Sequence, residues 1–392
     1  MSTNDASKTA GTVVRGLSRL VLTNFRNYSF VELDLTPQPV VLLGPNGAGK
    51  TNLLEAISFL APGRGLRRAR LAEVTRHAAP FPTWGVAATL QLERDTLDVG
   101  TSCEVNDGRE RRFVKVGGEL LKSQAQLSQY LSVLWLTPQM DGVLAEGGSG
   151  RRKFLDRLVY ALDPDHASRV YRYEYCVRER NKLLENPRYD PAWATSLEAK
   201  IAAEGVAIAA ARSATIARLD QAFAHAMGPF PRPVLSLEGW VDRTLEHQPA
   251  LMVEEELQAL LAQNRERDAA AGGCFEGPHK SDFKVVMQEK GMPAELCSTG
   301  EQKALLLSII LASARLQRDL NPGAVPLLLL DEVVAHLDAG RRQALFDEIL
   351  NLQIQVWMTG VDLTLFQGLA HQAQHFFVNG GTVAQSHSEE GP

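Results

Sequence analysis

An α/β fold, interrupted by an inserted α-helical arm, is the architecture this sequence predicts. Three observations carry it. An apolar β-branched run, Val40-Val41-Leu42-Leu43, leads into a glycine-rich stretch, Gly44 to Thr51, and then into a helix-like segment from Asn52 to Ile57. Far downstream, Pro326 introduces Leu327-Leu328-Leu329-Leu330, which ends in Asp331 and Glu332. A short, wholly apolar run of this kind suits a central parallel strand buried on both faces. Between the two, from about Gly150 onward, strand-like alternation gives way to long stretches dominated by alanine and charged residues. The expected division is 12–150 and 276–386 for a discontinuous head, 151–275 for the arm, and 1–11 and 387–392 as disordered tails.

Bulk properties narrow the class. The chain has 392 residues, 45% hydrophobic and 22% charged, which is ordinary for a globular protein of two to three domains. No apolar run approaches the roughly 18 residues of a membrane-spanning helix, so no membrane partner is expected. The opening MSTNDASKTAGT has no apolar core and does not read as a secretory signal, which points to a soluble, cytoplasmic protein. Cys103, Cys176, Cys274 and Cys297 lack paired spacing, so neither a zinc site nor a disulfide framework is expected. His371 and His375 stand four apart with no third ligand visible, and they read as a solvated helix face. The net charge of −5 argues against a globally basic nucleic-acid binder but leaves room for local basic patches.

Leu17 to Leu35 alternates like two strands of a hairpin, ended by Pro37 and Pro39. The strand, glycine loop and helix follow, to about Leu60, and Gly63 to Arg70 is a basic loop. Trp84 to Leu92 and Cys103 to Val116 are strand-like, with turns at Asn106-Asp107-Gly108 and Gly117-Gly118. Val133 to Leu136 is a short strand stopped by Thr137-Pro138-Gln139. Helices are expected over Arg151–Leu162, Pro164–Leu184, Pro191–Met227 and Leu251–Arg267, with Pro164 and Pro191 in first turns. The third would span about 55 Å at 1.5 Å per residue. Strand texture returns at Phe283-Val285-Met287. A helix over Glu301–Leu320, the leucine strand, a helix over Gly340–Leu350 and a strand over Gln355–Met358 complete the head.

The run Gly44-Pro45-Asn46-Gly47-Ala48-Gly49-Lys50-Thr51 has the Walker A pattern in the strand–loop–helix context that the pattern needs. Glycines let backbone N–H groups turn inward around a phosphate, and the helix N-terminus adds positive dipole. Lys50 can reach β- and γ-phosphates, and the Thr51 hydroxyl can ligate Mg²⁺, so ATP and Mg²⁺ are expected. The four leucines with Asp331 and Glu332 make a Walker B pattern, a strand tip that delivers carboxylates to a site. Asp331 is expected to hold Mg²⁺ and Glu332 to polarise the attacking water.

Cys297-Ser298-Thr299-Gly300-Glu301-Gln302-Lys303 precedes a long apolar helix, about 33 residues before Asp331. Ser298 and the Gly300 N–H can bind a γ-phosphate at a helix N-terminus. The same residues also make a good helix cap. The stretch resembles the signature of ABC-type ATPases. That resemblance implies a two-lobed ABC-type head whose signature closes on the nucleotide of a partner subunit, so that ATP holds a head-to-tail homodimer. It places Asp338, in His336-Leu337-Asp338, in the loop that links the two sites. It also places Gln139 where a nucleotide-site glutamine stands, with Mg²⁺ as a further contact, although glutamine is equally an ordinary turn residue. The strand ending in Thr359-Gly360 lacks the switch histidine of transporter members. Thr359 or the backbone is then left to sense a γ-phosphate, if anything does.

The phosphate loop and the signature stand roughly 250 residues apart, much farther than in transporter members. Five runs follow in order: Asn24-Phe25-Arg26-Asn27-Tyr28, Gly63-Arg64-Gly65-Leu66-Arg67, Arg151 to Asp156, Gly277-Pro278-His279-Lys280-Ser281-Asp282, and Asp331 to Asp338. Together they resemble the RecF family of bacterial recombination-repair proteins, over nearly the whole chain from about Leu17 to Val378. Two departures stand out. Ser281 replaces an acid common in the Gly-Pro-His block, and the arginine run of the basic loop is heavier than usual. The resemblance implies ATP-dependent dimerisation, DNA binding, slow hydrolysis serving as a switch, and work with RecO and RecR in loading RecA at single-strand gaps. It also brings Arg26 and Asn27 to the nucleotide from the N-terminal hairpin. A transporter ATPase subunit and an SMC-like DNA-bridging protein are the alternatives. The inserted arm disfavours the first, and its shortness the second.

A chain of this charge must concentrate its cations to hold phosphates. Arg64, Arg67, Arg68 and Arg70 lie within seven residues and are the expected DNA contacts. Arg109, Arg111, Arg112 and Lys115 form a lesser cluster, as do Arg178, Arg180, Lys182 and Arg188 on the arm, and both read as solvated faces. No aromatic residue interleaves with these arginines, so stacking on unpaired bases is not signalled. Backbone contact with duplex DNA or a gap junction, without sequence preference, fits better.

Overall fold

The structure is a computed structural model that describes residues 15–81, 83–106, 109–224 and 228–386. The expected tails, the start of the head at 12–14, the Asp107-Gly108 turn and the end of the Pro191–Met227 helix lie outside the described residues.

The chain opens with β1 (Gly16–Phe25), β2 (Tyr28–Asp34), β3 (Val40–Leu43) and α1 (Lys50–Ser58). A short α2 (Leu71–Val74) precedes β4 (Thr83–Gln91), β5 (Thr96–Asn106), β6 (Arg109–Val116) and β7 (Glu119–Leu120). β5 begins well before the expected Cys103: Leu97, Val99 and Cys103 alternate with Asp98, Gly100 and Ser102, only Thr101 interrupts the apolar face, and Thr96 to Glu104 pair with β4. Antiparallel pairing orders these strands β2-β1-β4-β5-β6-β7. Leu20, Leu22, Trp84, Val86, Val99 and Val114 bury one face of this sheet. Phe25, Phe59 and Trp84 pack there with ring centroids 5.0 to 5.9 Å apart, each pair worth about 0.5–1.5 kcal/mol beyond its burial.

Next come β8 (Leu131–Leu136), α3 (Gly148–Tyr160), α4 (His166–Leu184) and α5 (Pro191–Ala224). They are followed by β9 (Pro233–Glu238), α6 (Trp240–Leu245), α7 (Ala250–Gln263), α8 (Arg265–Ala271), β10 (Asp282–Met287), β11 (Met292–Pro293) and α9 (Thr299–Leu320). β9 has no counterpart in the sequence expectation. Pro231 and Pro233 read as punctuation, yet proline is tolerated as the first residue of a strand. β9 pairs antiparallel with β10, from Asp282 opposite Glu238 to Met287 opposite Pro233. Tyr173, Ile201, Val206, Val253 and Leu257 form the core between α4, α5 and α7.

The chain returns through β12 (Val325–Leu330), α10 (Ala339–Leu352), β13 (Gln355–Gly360), β14 (Gln374–Asn379) and β15 (Thr382–Gln385). These strands and β3 take the order β15-β14-β3-β13-β12, parallel from β14 to β12. Every residue of β3, β12 and β13 is buried, as expected for strands covered on both faces. The register sets Leu43 beside Gly360 and Leu330 beside Met358. Three strand ends therefore open on one edge, where parallel sheets place their ligand sites. Two buried glutamines fasten the border: Gln355 Nε2 donates to the Leu17 and Thr36 carbonyls, and Gln374 bonds both backbone groups of Thr36. His371 and His375 do not share a helix face; His375 lies in β14 and His371 in the turn before it.

Cα proximity divides the chain into two compact units: residues up to 122 with 325–335 and 342 onward, and 123–324 with 336–341. No helix among the described residues is long and apolar enough to cross a membrane.

In the second unit, charge is buried in neutralised groups. Arg180 is fully buried rather than on a solvated arm face. It pairs with Glu198 at 3.0 Å and Asp268 at 2.8 Å, and donates to the Leu261 carbonyl. Arg212 makes two bonds to Asp156, at 2.8 and 2.9 Å, and a third to the Pro278 carbonyl. Burial alone would raise the Asp156 carboxyl, but His166 and Arg212 hold it below its ordinary value. The Gly-Pro-His block acquires a structural account here. His279 Nδ1 meets the Tyr173 hydroxyl at 2.5 Å, and its Nε2 meets the Cys274 carbonyl at 2.9 Å. Ser281 donates to the buried Asp242 carboxylate, so an acid at 281 would face a like charge.

Arg180→Ala removes one partner from two buried carboxylates, a change expected to cost roughly 3–5 kcal/mol. The urea midpoint should fall while the slope of the transition stays constant. A midpoint equal to that of the unaltered chain would show that the cluster adds no stability.

Candidate functional site

β3 ends at Leu43, and the chain turns through Gly44 to Gly49 into α1. Two glycines are required by close approach. A Cβ at Gly44 would lie 2.2 Å from the Val378 carbonyl oxygen. At Gly49, with φ 116°, it would meet the Asn27 amide at 2.5 Å and the Tyr28 hydroxyl at 2.6 Å. Pro45, Asn46 and Gly47 are exposed at the crown of the loop, and Ala48 is buried. Lys50 is 4% exposed and folds back on the loop, donating to the Gly44 carbonyl at 2.7 Å and the Pro45 carbonyl at 3.0 Å. Burial lowers the pKa of its ammonium, and the Glu332 and Asp331 carboxylates oppose that shift.

Thr51 Oγ1 donates to the Asp331 carboxylate, 3.1 and 3.0 Å from its two oxygens. Thr359 Oγ1 donates to Asp331 Oδ1 at 2.8 Å and accepts the Glu332 N–H, also at 2.8 Å. Glu332 has φ 55°, a left-handed conformation that costs a non-glycine residue on the order of 1–3 kcal/mol. Thr359 therefore ties the two acids together. The sequence signal for this is a hydroxyl directly after the apolar run Val356-Trp357-Met358, since a buried hydroxyl needs a partner. Thr51 and Asp331 bring hard oxygen donors to one point. Mg²⁺ is suited by few protein ligands of this type, because it keeps several of its waters.

The turn between β1 and β2 grips the loop. Asn27 Nδ2 donates to the Ala48 carbonyl at 3.3 Å, and its Oδ1 accepts from Asn52 Nδ2 at 2.7 Å. The Tyr28 hydroxyl donates to the Gly49 carbonyl at 2.9 Å. Arg26 is directed at Glu55: Nε and Nη2 bond its two oxygens at 2.8 and 2.6 Å. Arg67 reaches the same carboxylate at 2.8 Å and Asn52 Oδ1 at 2.6 Å. Glu55 is fully buried in α1, so two guanidinium groups neutralise it. No motif singles out Asn52 or Glu55; the available signal is an acid set among the apolar residues of α1.

Of the four arginines expected on DNA, Arg67 is shared with Glu55. Arg64, Arg68 and Arg70 are exposed, and the Arg64 and Arg68 guanidinium groups have no partner among the described residues. Arg112 is not on a solvated face. It donates to the Phe59 and Gly63 carbonyls, to the Ala61 carbonyl at 3.1 Å and to Thr101 Oγ1 at 2.8 Å. It thus satisfies carbonyls left open at the end of α1. Burial lowers its pKa to about 10.

In the second unit, Ser298 is the N-cap of α9. Its hydroxyl donates to Glu301 Oε2 at 2.7 Å and accepts the Glu301 N–H at 3.4 Å. The Lys290 ion pair, together with the Ser298 bonds, draws the Glu301 carboxyl down to about 2. Gly300 is exposed, with open space at its α-carbon. Gln139 is exposed in the single turn Pro138–Met140. Asp338 Oδ1 accepts the Arg341 N–H at 2.9 Å, at the start of α10.

The family model described as "RecF/RecN/SMC N terminal domain" matches residues 16–101. A Rhizobium rhizogenes protein named "DNA replication and repair protein RecF" is 47% identical over 372 residues, which cover 94% of this chain and 98% of the relative. A protein of the same name from Mesorhizobium japonicum is 47% identical over 370 residues, covering 94% and 97%. A solved structure described as "the recombination mediator protein RecF-ATPrS in RecFOR pathway" matches with a TM-score of 0.83 at 22% identity, covering 95% of this chain and 98% of that one. At that identity the structural likeness shows the fold alone.

Thr359→Val keeps the shape but strands the Glu332 N–H and removes one donor from Asp331. We expect a loss of roughly 1–3 kcal/mol in stability, with Thr359→Ser restoring most of it. Thermal unfolding of the two variants side by side checks this, and equal stabilities would show that the bridge carries no energy.

Proposed function

The chain belongs to the RecF family of DNA replication and repair proteins, and from that premise we propose that it is an ATP-gated DNA-binding protein of recombinational gap repair. One observation carries the proposal: Lys50 and Thr51 at the start of α1 and Asp331 at the end of β12 converge where the parallel strands end. The nucleotide named with the related RecF structure supports ATP as the ligand. Gly44 to Thr51 would enclose its phosphates, with Lys50 on the β- and γ-phosphates and Asn27 beside the loop. Arg26 serves the same site by holding the hairpin turn against Glu55. Thr51 and Asp331 would hold Mg²⁺, with Gln139 as a further contact; the ion would neutralise phosphate charge there. Glu332 accepts the proton of the attacking water.

In this proposal Ser298 and Gly300 act across a homodimer on the γ-phosphate, and Asp338 borders the same interface. Closure creates the DNA-competent state, and slow hydrolysis ends it. Arg64 and Arg68 contact duplex or gap-junction backbone, with Arg70 beside them and Arg67 holding the loop to α1. RecO and RecR are the proposed partners, RecA loading the proposed outcome, and the cytoplasm the proposed compartment. Residues 151–275 form the proposed arm.

Glu332→Gln keeps side-chain size but cannot take a proton as a carboxylate does. Single-turnover hydrolysis should fall about 10²- to 10⁴-fold. ATP should still close the dimer, and DNA should dissociate more slowly at saturating ATP and Mg²⁺. Hydrolysis at the unaltered rate would remove Glu332 as the base. Rapid DNA release without hydrolysis would sink the proposed cycle.

Replacing Arg64 and Arg68 by Ala should weaken duplex binding evenly across sequences. The salt dependence should flatten by about 0.9 in log–log slope for each phosphate that is no longer neutralised, with ATP affinity intact. An unchanged slope would place the duplex-binding surface elsewhere.

A further inference from the structure

The exposed face of α4 carries an arrangement that the nucleotide site does not use. Tyr171 is 66% exposed and Tyr175 48%. Arg178 and Lys182 are exposed on the same helix. Spacings of four, three and four residues set the four side chains within about 60° of arc, at roughly 100° per residue. The opposite face is committed to the interior through Tyr173, Cys176, Arg180 and Leu184. Beyond the helix, Arg188 is exposed in the connection to α5, and Trp193 is 51% exposed in the first turn of α5.

One exposed tyrosine would be ordinary. Two a single turn apart, about 6 Å along the axis, are spaced for neighbouring flat ligands. The cations that follow remain available. Lys182 has no partner among the described residues, and Arg178 meets Glu174 only at 3.9 Å. Arg172 spends its charge on Glu204, at 2.5 and 3.0 Å. The two rings are followed by cations rather than by further apolar side chains, so the face lacks the continuous apolar centre of a protein–protein interface. Aromatic surfaces next to available cations are what a single strand needs, because bases stack and phosphates require counter-charge. The run Tyr171-Arg172-Tyr173-Glu174-Tyr175 interleaves aromatic and charged residues after all, and only the helix shows which of the tyrosines face outward.

We propose that this face of α4 is a stacking surface for single-stranded DNA, with Tyr171 and Tyr175 taking unpaired bases and Arg178 and Lys182 the flanking phosphates. The inference rests on the DNA-binding function proposed above and assigns single-strand binding to residues other than Arg64 and Arg68. The test uses the full chain and fluorescence anisotropy with three probes: a dT oligomer, an abasic strand with the same number of phosphates, and a duplex. The double variant Tyr171→Ala, Tyr175→Ala should lose dT affinity about 5- to 150-fold per ring, the range set by alanine substitution at stacking sites. Abasic binding should not change, because the charges remain. Tyr171→Phe with Tyr175→Phe should retain dT binding, and Arg178→Ala with Lys182→Ala should weaken dT and abasic strands alike. Alanine is favourable in a helix, so folding should survive, as circular dichroism would report. Unaltered dT binding by the alanine variant overturns the proposal, as it would if this face served a protein partner. So does an equal loss of dT and abasic binding. If the unaltered chain binds duplex but does not prefer dT to the abasic strand, stacking fails while the DNA-binding function stands. If it binds none of the three, both fail.

Discussion

The carboxylate of Asp331 accepts hydroxyl hydrogen bonds from Thr51, 280 residues away in sequence, and from Thr359, 28 residues away. It is 4% exposed, so without these donors it would be a buried charge short of partners. Meeting that need constrains the sheet. β3 must lie beside β13, and β13 beside β12, in the register that brings Leu43, Thr359 and Leu330 to one edge. The left-handed backbone at Glu332 follows from the same requirement, because its N–H must turn toward Thr359. Gln355 and Gln374 then bind the neighbouring backbone at Leu17 and Thr36 to this frame.

Glu55 organises a second set of interactions in the same unit. A buried carboxylate with one guanidinium partner removed would be strongly destabilising. Here it has two, from segments with different proposed tasks: Arg26 from the hairpin that grips the phosphate loop, and Arg67 from the basic loop. Asn52 extends the link, since it bonds both Asn27 and Arg67. Arg112 holds the carbonyls at the far end of α1. The helix that follows the phosphate loop is thus bonded through Asn52 and Glu55 to the loop carrying Arg64 and Arg68, and its far end is bonded through Arg112 to β6. A displacement of α1 must be transmitted to the basic loop or break charge-assisted bonds.

Much of the frame was legible in the sequence, because burial on both faces leaves a direct trace. Val40 to Leu43 and Leu327 to Leu330 could hardly be other than central strands, and the glycine loop between strand and helix needed no structure to be found. The arginines were less legible. Arg64, Arg67, Arg112 and Arg180 all occur in charge-rich runs, and a run cannot say which member turns inward. Arg180 is fully enclosed because Glu198, Asp268 and Arg265 arrive from other helices. Arg112 is enclosed because α1 ends above β6. β9 was hidden by its flanking prolines, and the bonds that Thr359 makes to Asp331 and Glu332 by their separation in sequence. Each of these depends on a partner distant in sequence, which periodicity and motif spacing do not encode.

Three of the motif side chains share one further property: each already has an internal partner. Lys50 bonds two loop carbonyls, Thr51 bonds Asp331, and Ser298 bonds Glu301. A hydrogen bond gains only about 0.5–1.5 kcal/mol net when it replaces another, and about 1.5–3 when charge is involved. A phosphate arriving at Lys50 or Ser298 therefore exchanges bonds rather than adding them. At the Ser298 cap, Lys290 and the Ser298 bonds draw the Glu301 carboxyl down to about 2, so it stays ionised until the pH falls toward that value. The cap's contribution is thus present at all pH values well above that limit, and any anion at α9 must compete with a carboxylate already in place. Like charge then opposes anion binding at Ser298 until Glu301 turns away or a cation compensates. Lys290, already on Glu301, is the cation positioned to do so.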